Sequence, residues 1–242
     1  MLELRTFTTI AILLATVTGC AGTSRKALDV SEASNIRKIV ILTIPEPPRI
    51  TVHNMGSGAV LLGGVLAVAI ANGVSETHNT DPLTKLLLDQ GFDFSKEMQQ
   101  ELKNQLGRMG YDVQLVEAQR KNPMGLLKDY SGYSSLNTDA ILDVALGMNF
   151  GYANVNIMDN EFRPDIEIRT QLIAKQTGKV LYSEGFIYGY HNPFMSATQI
   201  PAPKVFYFPN SDDLYTDKQR AVAGLRAGIS AIAAALANQL KH

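Results

Sequence analysis

The sequence predicts an α+β fold: a mixed β-sheet of about four to five strands, with an amphipathic crossover helix and a long C-terminal helix packed on it. Three observations predict it. Residues 139–152 alternate apolar with small or polar side chains, and residues 166–174 and 180–190 repeat the pattern. Phe94, Met98, Leu102, Leu106 and Met109 form one helical stripe. Val222, Leu225, Ile229, Ile232, Leu236 and Leu240 form another near the end of the chain.

The first residues read as a secretory signal. Arg5 precedes the apolar run Ile10–Thr16, and small residues lead to Cys20. The run is too short to span a bilayer. Val17-Thr18-Gly19-Cys20 resembles the lipobox of bacterial lipoproteins. The resemblance implies that the Cys20 thiol is lipidated and that residues 1–19 are removed. Cys20 is the single cysteine of the chain, so it has no partner for an internal disulfide. Ala21 in the next position implies, by the same resemblance, an outer-membrane protein facing the periplasm. Multiple acyl chains make a stable anchor, at about 0.8 kcal/mol per buried methylene.

Composition excludes several classes. The net charge of −1 shows no basic excess for nucleic acid. His53, His78, His191 and His242 have no metal-ligand spacing. Residues 20–36 begin small and polar and read as a lipidated tether. Residues 37–242 then read as one periplasmic α/β domain with an apolar Gly/Ala-rich insertion at 56–74.

Within that domain, Lys38–Ile44 is a β-branched run stopped by Pro45 and reads as a buried strand. Residues 49–53 read as a short strand. No Asp, Glu, Lys or Arg occurs from Ile50 to Ser75. There Ala59, Gly63, Ala67 and Ala71 recur every fourth position, a ridge that permits close helix approach. The insertion is read three ways: buried against the domain, an oligomer or membrane contact, or a transmembrane helix. Asp81-Pro82 opens a short helix over Leu83–Leu88. The helix over 93–109 is capped by Asp93 or Ser95 and ended by Gly110. Tyr111–Val116 reads as a strand, completing a crossover unit. Residues 117–138 read as loop.

The three alternating strands put even residues on one face, Ala140, Leu142, Val144, Leu146, Met148, Phe150 and Tyr152 in the first of them. The turn at Lys175–Lys179 decides where the aromatics of the last strand go. A three-residue loop with Gly178 left-handed pairs Leu172 with Tyr182, Ile168 with Phe186 and Ile166 with Tyr188, all on the core face. A two-residue loop would move them to the other face. Residues 191–213 form a long loop rich in proline and aromatics, expected to bind a partner through Phe194, Phe206, Tyr207 and Phe208, or to pack on the sheet. The last helix runs from about Asp213 to Leu240, with Gly224, Gly228, Ala231 and Ala235 as a small-residue ridge.

No catalytic constellation, phosphate loop or metal site is found in the sequence. Asp143, Asp165, Glu167 and Glu184, with Arg169 among them, read as solvated charges on the outer sheet face rather than as acid–base partners. The only cofactor expected is the covalent lipid.

Three short runs carry a second resemblance: Leu106-Gly107-Arg108-Met109-Gly110-Tyr111, Thr138–Leu142, and Gln176-Thr177-Gly178-Lys179-Val180-Leu181. They resemble the small α/β domain of outer-membrane lipoproteins that includes the curli-secretion lipoprotein, the activators of penicillin-binding proteins and the exopolysaccharide-export lipoprotein. That resemblance implies assembly or export work through other envelope proteins, often as a homo-oligomer, and no catalysis. Two other readings stay open: a periplasmic ligand-binding protein or hydrolase using a cleft under residues 117–138 and 191–213, and a membrane-inserting oligomer through residues 56–74.

Overall fold

The computed structural model describes residues 25–47, 50–54, 82–118, 120, 122, 124–154, 161–190 and 196–241. Cys20, the ridge Ala59, Gly63, Ala67 and Ala71, and Phe194 lie outside the described residues. The elements in chain order are α1 (Val30–Ala33), β1 (Lys38–Leu42), β2 (Thr51–Asn54), α2 (Pro82–Asp89), α3 (Phe94–Arg108), β3 (Asp112–Val116), β4 (Ala140–Asn154), β5 (Arg163–Ala174), β6 (Val180–Tyr188), β7 (Thr198–Ile200), α4 (Ser211–Thr216) and α5 (Lys218–Gln239).

The described strands form one mixed seven-stranded sheet in the order β3-β1-β4-β5-β6-β7, with β2 also on β4. This is larger than the four to five strands expected: the short strand read near residues 49–53 joins β4 as β2, and the three-residue β7, which has no pattern of its own, adds to β6. The long β4 takes β1 in parallel along its first half and β2 in parallel along its second. Gly151 (φ +142) permits the second pairing, since a Cβ there would lie 2.1 Å from the Thr51 carbonyl oxygen. As expected for a crossover, β1 and β3 pair in parallel around α3. Asp93 caps α3 by accepting from the Lys96 N–H, while Ser95 donates to the Ile44 carbonyl.

The even-numbered face of β4, β5 and β6 is the main core. Leu142, Leu146, Phe150, Tyr152, Ile166, Ile168, Leu172, Tyr182, Phe186 and Tyr188 are buried there with the apolar stripes of α3 and α5. The hairpin register is the expected one: Leu172 opposite Tyr182, Ile168 opposite Phe186, Ile166 opposite Tyr188. It is reached by a different route. Ala174 and Lys179 close the turn around residues 175–178, one residue more than expected, with Gly178 at φ +68. That pairing alone is odd with even. A bulge in β6 between the pairs Ile173–Val180 and Leu172–Tyr182 then shifts the register by one. Burying a large apolar side chain contributes about 1.5–3 kcal/mol, so keeping three aromatics inside outweighs one disrupted ladder step.

The C-terminal helix is not continuous from Asp213. Asp217 (φ −90, ψ 67) ends α4 and caps α5 through the Arg220 N–H. α5 is long and apolar enough to cross a membrane by length and composition, yet its stripe is buried in the core. Its glycines meet the sheet: a Cβ at Gly224 would touch the Tyr152 hydroxyl, and one at Gly228 the Tyr188 ring and Ile166.

The residues before β1 pack on the body. Lys26 and Ser183 exchange backbone hydrogen bonds of 2.8 and 2.9 Å, so residue 26 adds to the outer edge of β6. Asp29 caps α1, and Ala33 and Ile36 are buried. The described part of the stretch read as a tether, residues 25–36, is therefore folded onto the domain.

Candidate functional site

The odd-numbered face of the sheet holds the chemistry. On its β1 side, the described residues between 118 and 136 lie over Val40, Leu42 and Ile141 as a strap, contributing Ala118, Leu127, Tyr130, Tyr133 and Leu136 to a second small core. The strap is fixed by Asp143, a buried carboxylate between Leu142 and Val144. Asp143 pairs with the buried Arg120 guanidinium and accepts from the Leu127 N–H and the Tyr130 hydroxyl, both at 2.8 Å. Arg120 also donates to the carbonyls of Thr43, Gly125 and Val144. Burial, then the Asp143 charge, raises the Tyr130 phenol strongly, so Tyr130 stays a donor. A fully satisfied group of this kind is a clamp rather than a reactive centre.

Asp165 and Glu167 stand two apart on β5, both buried. Glu167 lies over Gly147, where a Cβ would come within 2.3 Å of its side chain. Arg169 reaches Glu167 at 3.6 Å, the ion pair the sequence allowed. Asp165 Oδ1 has no hydrogen-bond partner among the described residues. Burial first, and the Glu167 charge second, push the Asp165 carboxyl up to about 7.

These positions correct the expectation of solvated charges on an outer face. Asp143 lies beneath the strap, and Glu167 folds into space left by a glycine. Glu184 does not belong to the group. Strand alternation places it with Tyr182 and Phe186 on the helix-bearing face, where it pairs with Arg25 and accepts from the Gly185 N–H. Its even number was a sufficient signal. The Arg120–Asp143 clamp carried a weaker one, a lone charge inside a buried strand.

The strap and the β5–β6 turn enclose an open groove of about 330 Å³. Tyr130 and Tyr133 form a wall, Ile141 and Ile173 the floor, and Lys128 and Lys175 the rim. Such a surface can take a small polar ligand. Among the described residues, no group of three or more His, Cys, Asp or Glu could hold a metal ion.

The loop after β6 divides its aromatics. Phe208 is fully buried, bridges to Phe162 through both backbone hydrogen bonds, and meets the Tyr152 ring edge-on at 5.5 Å. The Arg220 guanidinium lies 4.1 Å from its ring centroid. Phe208 is thus a core residue and offers no contact to a partner, because the β5 end needs that ring to close the core. Phe206 and Tyr207 are half-buried. Tyr207 donates to the Ala202 carbonyl and stacks beneath Arg163. Among the described residues of this loop, Val205 is an exposed large apolar side chain.

No protein-family model matches the chain, and no curated protein is similar to it in sequence. Solved structures similar to it include a PelC dodecamer from Paraburkholderia phytofirmans, 14% identical over 90% of this chain and 94% of that chain, with a TM-score of 0.38. Lipoprotein GNA1162 from Neisseria meningitidis is 11% identical over 65% of this chain and 88% of that chain, with a TM-score of 0.32. The C-terminal domain of LpoB from Salmonella enterica is 15% identical over 63% of this chain and 82% of that chain, with a TM-score of 0.19.

Proposed function

We propose that this chain is a lipid-anchored accessory protein of the bacterial envelope, held at the outer membrane through Cys20 and acting in an assembly or export system by binding other envelope proteins. The observation that carries the reading is Val17-Thr18-Gly19-Cys20 at the end of a short apolar run, with no second cysteine in the chain. Two of the four carboxylates weighed for acid–base work support a non-enzymatic role. Asp143 is consumed by a clamp, and Glu184 pairs with Arg25. The test is expression of the full chain and of Cys20→Ala in a bacterial host, followed by intact mass, membrane fractionation and crosslinking in the cell. Acyl mass on Cys20, outer-membrane recovery and a crosslinked envelope protein are expected, all three lost or reduced in Cys20→Ala. Unacylated protein released to the soluble fraction would overturn the reading.

The groove under the strap favours one second reading, a binder of small polar ligands. Its tyrosine wall, apolar floor and lysine rim are the parts such a site needs. A ligand that protects the Tyr133 ring from chemical modification would support it.

A further inference from the structure

Very little chain separates Cys20 from the folded body. The chain is held from Arg25 onward. The Arg25 guanidinium pairs with the buried Glu184 carboxylate, and Lys26 donates through Nζ to the Val180 carbonyl besides its two backbone bonds with Ser183. Lys179 pairs with Glu32 across the same edge. Five peptide links join Cys20 to Arg25. Fully extended they span at most about 18 Å, whatever conformation they take. A lipid on Cys20 therefore keeps the Arg25 backbone within about 18 Å of the membrane surface.

The opposite side of the sheet is much farther away. Residue 26 pairs with β6, and the sheet continues through β5, β4 and β1 to β3. At about 4.8 Å per strand, β3 lies about 24 Å from the added segment. The outer edge of β3 is an open ladder among the described residues, with Leu115 43% exposed. On the anchored side, Ala27 is exposed and Val30 is 57% exposed.

We infer that the sheet edge formed by residues 25–27 along β6 is the surface this protein lays toward a phospholipid membrane, leaving the β3 edge pointing away from it. The inference rests on the lipid-anchor reading above. It goes beyond that reading because a flexible tether would let every face meet the membrane equally, whereas a docked segment selects one. The occupant is a lipid surface because five peptide links from Cys20, whatever their conformation, cannot carry that edge elsewhere.

The test uses the full chain processed by a bacterial host, purified in mild detergent and returned to phosphatidylethanolamine–phosphatidylglycerol liposomes. Intact mass reports acylation and flotation reports anchoring. With Cys20 consumed by lipid, Ala27→Cys and Leu115→Cys each introduce one thiol for a fluorophore, at exposed positions that leave the core untouched. A nitroxide on the lipid headgroup should quench the dye at position 27 several-fold more than the dye at 115. A long Gly/Ser insertion between Ser24 and Arg25 should bring the two to near equality while flotation persists. Absent acylation or flotation overturns the anchor reading and the orientation with it. Flotation with equal or reversed quenching overturns the orientation alone. Self-quenching at position 27 that rises with protein density would put a second copy on that edge and overturn it as well.

Discussion

Replacing Asp165 by Asn should stabilise the protein, and by an amount that grows with pH. Asp165 is buried, and its Oδ1 has no hydrogen-bond partner among the described residues. Desolvation and then Glu167 raise its carboxyl from 3.8 to about 7. Below pH 4 the group is neutral in folded and unfolded chains and costs nothing. Between pH 4 and 7 the unfolded chain releases this proton while the folded chain keeps it. Stability contributed by the neutral form is therefore lost as pH rises, at about 1.4 kcal/mol per pH unit. The loss is complete above pH 7, at about 4 kcal/mol. Asn cannot ionise and escapes it. Any fixed cost of the amide is the same at every pH, so the slope carries the test. Urea unfolding at pH 5, 6, 7 and 8 should give an Asn-minus-Asp difference that climbs to pH 7 and then levels. A difference independent of pH, or one that falls as pH rises, would refute the reasoning.

Two further outcomes follow from packing and charge. Gly228→Ala places a Cβ 2.6 Å from the Tyr188 ring and 2.7 Å from Ile166 Cδ1. Overpacking costs about 1–3 kcal/mol and helix propensity returns about 1, so the urea midpoint should drop by the equivalent of up to about 2 kcal/mol. Asp143→Ala leaves the Arg120 guanidinium buried without its carboxylate, at a cost of about 3–5 kcal/mol. Hydrogen exchange should show the Leu127 amide losing protection, while the amides of β6 keep theirs relative to global stability.

The parts of this fold that were legible share one property: a period set by a single element. The stripe from Phe94 to Leu106 and the even faces of β4, β5 and β6 follow from geometry internal to each segment. The Asp93 cap is equally local. The rest depended on partners far along the chain. Three residues of β7 and the bridge at Lys26 have no pattern of their own; they pair because β6 has an edge to fill. Asp165 and Glu167 alternate with apolar residues as solvated charges do, and nothing local says that the face is covered. Asp217 interrupts the last helix with two caps in one residue, a choice hidden beneath a continuous apolar stripe. Of the residues singled out in the sequence, Phe208 shows the limit most directly. Aromatic content marked its loop as important, but composition could not separate a ring aimed at a partner from one aimed at Tyr152.

The bulge before Tyr182 gives the β5–β6 hairpin a slip joint. Turn length and strand register are usually locked together, so one residue gained or lost at the tip inverts every side chain beyond it. Here the correction is made on the far side of the turn, one pair into the ladder. A tip shortened by one residue could discard the bulge and deliver Tyr182, Phe186 and Tyr188 to the same places. The exposed tip from Gln176 to Lys179 can therefore lose one residue without passing the change inward to the core beneath it.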